Sequence, residues 1–151
     1  MIITLDINGK TERAECAPGE MLTEVLRRLG HVEVKKGCDT GNCGACTVLL
    51  DGKPILSCSF LAVRAEGHAI TTIQGVEHEA KEFAKFLTAE GADQCGFCAP
   101  GFALTVLAMK KELTDPSEAD IRHYLAGNLC RCTGYEGQIR AIKKYLEAEN
   151  A

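Results

Sequence analysis

The sequence predicts an α+β chain in two unlike halves, a small mixed sheet with a helix across it followed by a bundle of four helices. Three observations carry this. Apolar residues alternate at period two in the first third of the chain. They recur at helical spacing in the second half. The nine cysteines gather into two groups, one in each half.

The elements follow in order. Ile3, Leu5 and Ile7 alternate with polar residues and run into Asn8-Gly9, a strong hairpin turn signal. Ala14 and Cys16 continue the alternation on the return strand, and Pro18-Gly19 breaks the chain. Leu22, Val25, Leu26 and Leu29 have helical spacing, with Gly30 where a helix would stop. After a glycine-rich loop, Thr47 to Leu50, the turn Asp51-Gly52 and Ile55 to Cys58 read as a second hairpin. Ala69 to Ile73 reads as a late strand.

The period then changes. Ala80, Phe83, Ala84 and Leu87 mark one amphipathic helix; Phe102, Thr105, Val106 and Met109 mark another. Ser117-Glu118-Ala119-Asp120 resembles a capping box and opens a short helix that stops at Gly127. Tyr135, Ile139, Ile142 and Leu146 mark the last helix. The boundary falls near Gln74 to Glu77, which gives units of 1–75 and 76–151.

Composition narrows the function classes. The chain has 151 residues, 46% apolar and 25% charged, enough for one ordinary domain or two small ones and unlike a disordered chain. The net charge is −4 with no basic tail or stripe, so nucleic acid is not an expected partner. Met1 to Asp6 lacks the basic start and apolar core of a signal peptide. The longest mostly apolar stretch, Gly101 to Met109, is too short to span a bilayer. A cytoplasmic location is the expectation. An odd number of cysteines fits poorly with full disulfide pairing, and in a reducing compartment clustered thiols point to metal.

The first group is Cys38, Cys43 and Cys46, spaced C-x4-C-x2-C, with Cys58 beyond. That is the plant-type spacing for a [2Fe–2S] cluster, in which four thiolates surround two irons and two sulfides. Gly37, Gly41 and Gly44 permit positive φ and let backbone N–H groups crowd the sulfurs, which stabilises the charge added on reduction. A structural zinc site prefers two short knuckles and fits this loop poorly.

The second group is Cys95 and Cys98 with Cys130 and Cys132. Each pair precedes a predicted helix, whose N-terminal N–H groups and dipole favour an anionic cluster, and Arg131 adds a positive charge. Spacing alone leaves zinc or a redox dithiol as rivals for Cys95 and Cys98.

Three segments are more specific. Lys36-Gly37-Cys38 through Gly44-Ala45-Cys46-Thr47, Gln94-Cys95-Gly96-Phe97-Cys98-Ala99-Pro100-Gly101 and Gly127-Asn128-Leu129-Cys130-Arg131-Cys132-Thr133-Gly134-Tyr135 resemble the small iron–sulfur subunit of the molybdenum hydroxylases, the xanthine dehydrogenase and aldehyde oxidoreductase family. The motifs come in the family's order over nearly the whole chain. The one departure is Ala99, where threonine is common.

The resemblance implies a ferredoxin-like β-grasp domain, then a four-helix domain, each with one [2Fe–2S] cluster. It implies partners: a large subunit carrying molybdopterin and a medium subunit carrying FAD, in a heterotrimer or its dimer. Electrons would run from molybdenum through the helical-domain cluster and the β-grasp cluster to the flavin. Gln94 and Cys132 would lie at the pterin edge. The chain itself would hold no substrate site, since it has no Rossmann G-x-G-x-x-G and no room for a molybdopterin domain. The reaction would be hydroxylation of a heterocycle or aldehyde with water supplying the oxygen; a reductive variant acts on aromatic thioesters. A free-standing ferredoxin and a zinc-stapled interaction module are the readings from other classes.

The remaining residues take plainer roles. Cys16, on the apolar face of a predicted strand, is read as a buried structural thiol. His31, His68, His78 and His123 show no metal-ligand spacing and are read as surface or satisfied residues. Glu77, Glu79 and Glu82 form a solvated helix face. Phe97 is read either as a shield over a cluster or as core.

Overall fold

The structure is a computed structural model and describes residues 1–149. The last two residues of the predicted 76–151 unit lie outside the described residues. Strands β1 (Ile2–Ile7) and β2 (Lys10–Glu15) pair antiparallel. Asn8 and Gly9 between them have φ of 54° and 76°, the positive pair that a tight hairpin of matching twist requires. Ile3, Leu5 and Ile7 are buried and their alternate neighbours exposed, so the period-two pattern faces one side of the sheet inward.

Helix α1 (Leu22–Arg28) buries Leu22, Val25 and Leu26 in the same core, and the chain leaves it through Gly30 at φ 101°. Strands β3 (Thr47–Leu50) and β4 (Lys53–Leu56) form the second hairpin, and β5 (Ala69–Thr71) lies between the two hairpins, parallel to β1 and antiparallel to β3. The order β2-β1-β5-β3-β4, with α1 across it, is the β-grasp arrangement.

Several boundaries differ from the expectation: β4 starts at Lys53, before Ile55, and the short helix after Ser117 ends at Tyr124, short of Gly127. The second hairpin ends at Leu56, and Ser57–Ser59 turns into a 3₁₀ segment that carries Cys58 out of the sheet. Ser57 Oγ donates to Cys46 O at 2.7 Å, so a side chain takes over where the ladder would continue. The late strand is three residues long because Ile73–Val76 is already a 3₁₀ turn leading into the helices.

Among the described residues four helices follow: α2 (Glu77–Ala89), α3 (Ala99–Glu112), α4 (Glu118–Tyr124) and α5 (Glu136–Glu149). Among the described residues no helix is long and apolar enough to cross a membrane. Their core joins Phe83, Phe102, Ile121, Ile142 and Tyr145, with the Phe83 and Tyr145 rings 5.2 Å apart. Ser117 and Asp120 close a full capping box on α4. Glu90 pairs with both Arg140 and Lys144, tying the end of α2 to α5.

Helix α3 is not amphipathic as its spacing suggests. Every residue from Gly101 to Met109 is buried. One side faces the helical core, while Leu104 and Ala108 pack on Leu49 of β3. A helix hydrophobic all round is a buried one. Burial of a side chain such as Leu104 is worth about 1.5–3 kcal/mol. The consequence is positional: α3 is wedged against the sheet, and its N-terminal end is brought to the first cysteine loop.

Candidate metal centres

Residues 35–46 follow no strand or helix and wrap around three cysteines. Gly41 and Gly44 have φ of 70° and 73°, where a side chain is unfavourable. Gly37 does not; its part is space. A Cβ there would stand 3.1 Å from Cys43 Sγ and 3.3 Å from the Phe97 ring. The turns aim N–H groups at sulfur. Asn42 N lies 3.4 Å from Cys38 Sγ. The N–H groups of Asn42, Cys43 and Thr40, helped by the Cys43 thiol, bring the Cys38 thiol down to about 6. Burial pushes Cys43 up, opposed by N–H bonds from Ala45 and Gly37. Burial pushes Cys46 up to about 11, with Cys58 beside it. Each thiol shift thus has a cysteine neighbour among its causes, Cys43 for Cys38 and Cys58 for Cys46.

In the second group, too, cysteines neighbour one another. Cys95 and Cys132 are exposed, with their sulfurs 3.5 Å apart. The neighbouring Cys95 thiol pushes Cys132 up. Cys98 is pushed up to about 12, first by burial and then by its partner Cys130. Burial also pushes Cys130 up, but bonds from the Thr133 hydroxyl and the N–H groups of Cys132 and Thr133 outweigh it, and the net shift is downward. Cys98 is the N-cap of α3, with Pro100 in the first turn, so that helix end points into the group as expected. The second pair does not cap α5. A turn at Thr133, Gly134 and Tyr135 intervenes, with Gly134 at φ 68° and Tyr135 at φ 71°.

The two groups meet. Leu129 N–H, one residue before Cys130, donates to Cys43 O at 2.9 Å. A Cβ on Gly44 would stand 2.4 Å from Gly127 O, and one on Gly101 would stand 2.3 Å from Gly44 O. Glycines thus let three backbone segments touch between the cysteine groups. Phe97 is 46% exposed, with its ring over Gly37, so it is a cover on the surface and not core. Gln94 is exposed beside the outer pair and donates to Cys132 O at 3.3 Å.

Other candidates fall outside. Cys16 is buried in the sheet core, where its thiol donates to Ala17 O at 3.4 Å. His31 lies between Glu12 and Glu33, and His68 pairs with Asp51. Thr133 and Leu129 stand in a family-like segment, but the sequence alone assigns neither a role of its own. A hydroxyl three residues after Cys130 in a glycine-containing loop was the available signal for Thr133; nothing local signals Leu129.

The donor set fits a binuclear iron–sulfur cluster at each place. Such a cluster takes two thiolates per iron, which four grouped cysteines supply, and gains from N–H groups directed at sulfur. Among the described residues no three Cys, His, Asp or Glu side chains converge as a single ion would require.

Comparison with known proteins agrees with this. The pattern of a 2Fe-2S iron-sulfur cluster binding domain matches residues 5–70, and that of a [2Fe-2S] binding domain matches residues 72–143. The xanthine dehydrogenase iron-sulfur-binding subunit of Escherichia coli O157:H7 is 46% identical over 93% of this chain and 91% of its own length. A chain of quinoline 2-oxidoreductase from Pseudomonas putida 86 superposes with a TM-score of 0.90 at 40% identity, over 99% of this chain and 96% of that one. The aldehyde oxidoreductase from Desulfovibrio desulfuricans ATCC 27774 gives 0.89 at 36% identity, over 99% of this chain but 17% of that longer one. Matched nearly end to end, with both cluster-binding domains in place, the chain belongs to the small iron–sulfur subunits of the molybdenum hydroxylases, the family of xanthine dehydrogenase and aldehyde oxidoreductase, and is an electron-transfer subunit of an oxidoreductase.

Proposed function

We propose that this chain relays electrons from molybdopterin on a large partner subunit to FAD on a medium one. Two [2Fe–2S] clusters carry them. Cys38, Cys43, Cys46 and Cys58 hold the first, in a domain of residues 1–75. Cys95, Cys98, Cys130 and Cys132 hold the second, in a domain of residues 76–151. The observation that carries the reading is the 2.9 Å hydrogen bond from Leu129 N–H to Cys43 O. Through it, the backbone of Leu129 alone separates a Cys43 contact from Cys130.

When bound, each cluster supplies one-electron chemistry without proton transfer. The residues of the chain do the rest. N–H groups of Thr40, Asn42 and Cys43 face Cys38, and those of Gly37 and Ala45 face Cys43, where they stabilise added negative charge. The start of α3 does the same at Cys98. Gly44, Gly101 and Gly127 bring backbone against backbone between the two cysteine groups.

The exposed corner of Gln94, Cys95 and Cys132 supports a contact with the pterin edge, the inner pair then lying farther along the relay. The substrate reaction, hydroxylation of a heterocycle or aldehyde, belongs to the large subunit. The assembly is a cytoplasmic heterotrimer or a dimer of heterotrimers.

The test is co-expression with a large molybdopterin-binding chain and a medium FAD-binding chain, followed by gel filtration. The expected result is one species containing molybdenum, flavin and this chain, in which substrate reduces the iron–sulfur absorption. Elution of this chain as a separate monomer would contradict the reading.

A further inference from the structure

Cys130 is held by one turn in a closed ring of hydrogen bonds. Thr133 Oγ1 donates to Cys130 Sγ at 3.3 Å. Tyr135 N–H donates to Thr133 Oγ1 at 3.3 Å, which occupies the acceptor side of the hydroxyl and leaves its proton for the sulfur. The Tyr135 hydroxyl oxygen in turn accepts from Cys130 N–H at 3.1 Å. The ring requires an unusual backbone. Gly134 and Tyr135 are both left-handed, at φ 68° and 71°, and a tyrosine rarely adopts that conformation. The long reach of the Tyr135 side chain back to Cys130 N–H is what holds it there.

We propose that Thr133, aimed by Tyr135, is the residue that raises the reduction potential of the second centre. The inference rests on the reading that Cys130 is one of four thiolates of a [2Fe–2S] cluster. Reduction adds one electron, supplied by substrate oxidation on the partner subunit or by dithionite in the test. No bond forms or breaks and no proton moves. The added negative charge spreads onto the thiolates, so a hydroxyl donor to sulfur favours the reduced state over the oxidised one. The other donors to Cys130 are the main-chain N–H groups of Cys132 and Thr133, which the fold fixes, and the Cys98 thiol, which as a cluster thiolate would have no proton to donate. Thr133 contributes a hydroxyl bond, and that bond is removable without changing the volume. The Tyr135 side chain bonds the Cys130 N–H; it is a positioning residue that acts through the turn.

The experiment is dye-mediated potentiometry followed by low-temperature EPR on the full chain in its complex, with Cys98→Ser identifying which signal belongs to the second centre. Thr133→Val is expected to lower the midpoint of that signal, Thr133→Ser to keep it, and both to leave the first centre unmoved. Tyr135→Phe is expected to lower it in the same direction and to add nothing to Thr133→Val in the double variant. Should Thr133→Val fail to load, Tyr135→Phe, which removes only the hydroxyl that accepts from Cys130 N–H, carries the test. An unchanged midpoint, or an equal shift of both centres, overturns the proposal. Additive effects of the two substitutions overturn the aiming role of Tyr135. Absence of any [2Fe–2S] signal in the unsubstituted chain would instead sink the cluster reading itself.

Discussion

Replacing Cys98 with serine is expected to cut the iron of the purified chain to about two per molecule, from the roughly four that two binuclear clusters hold. Cys98 is the N-cap of α3 and contacts Cys130, so its thiolate completes the inner pair of the second group. A serine hydroxyl keeps the shape but is a hard donor that does not ionise near neutrality, and iron–sulfur assembly depends on soft thiolates. The first group should survive. Its four thiols come from the loop before β3 and the turn after β4, and its tie to the second group, Leu129 N–H to Cys43 O, is made by main chain. Cys16→Ser is the control. That thiol lies in the sheet core and should leave the iron count unchanged. Full iron in Cys98→Ser, or loss of iron in Cys16→Ser, would contradict the assignment.

Gly101→Ala is expected to have a large effect for a single added methyl group. The new Cβ would stand 2.3 Å from Gly44 O and 3.2 Å from Ala45 O, both main-chain atoms of the first cysteine loop. Neither side can yield easily. Helix α3 is buried all round between Leu49 and the helical core, and Gly44 at φ 73° is itself pressed against Gly127 O. Overpacking of this kind costs about 1–3 kcal/mol, and more where the backbone cannot move. Denaturant unfolding should show it as a lower midpoint with an unchanged slope. Pushing the loop off α3 also stretches the Leu129–Cys43 link, so electron exchange between the two centres should slow. Gly127→Ala is the comparison: its Cβ meets nothing within 4 Å, and the substitution should fall within about 0.5 kcal/mol of wild type. Equal stability of the two variants would refute the account of this junction.

The parts of the fold that were legible in the sequence are those decided locally. Ile3, Leu5 and Ile7 with Asn8-Gly9 specify a hairpin because strand period and turn chemistry agree within a few residues. Ser117 and Asp120 specify the start of α4 in the same way. The spacing of α3 reads as amphipathic because its second buried face exists only once β3 lies against it, and no helical period encodes that partner. The strand read through Cys58 stops short because the Ser57 hydroxyl finds Cys46 O, a contact between residues 11 apart. The candidate site divides similarly. Cysteine spacing sorts eight thiols into two groups, and the structure sets cysteines of each group beside one another. Gly37 was singled out, yet its part is space beside Cys43 and not positive φ. The contact of the two groups was invisible: Asn128 and Gly44, which touch there, are 84 residues apart in the chain.

Low-temperature EPR of the dithionite-reduced chain, with iron and sulfide analysis on the same sample, tests the central claim most directly. The account predicts two distinct [2Fe–2S] signals of equal spin and about four irons per chain. A silent spectrum from a chain carrying zinc would contradict it outright, and a single signal with about two irons would contradict the assignment of Cys95, Cys98, Cys130 and Cys132 as a second cluster.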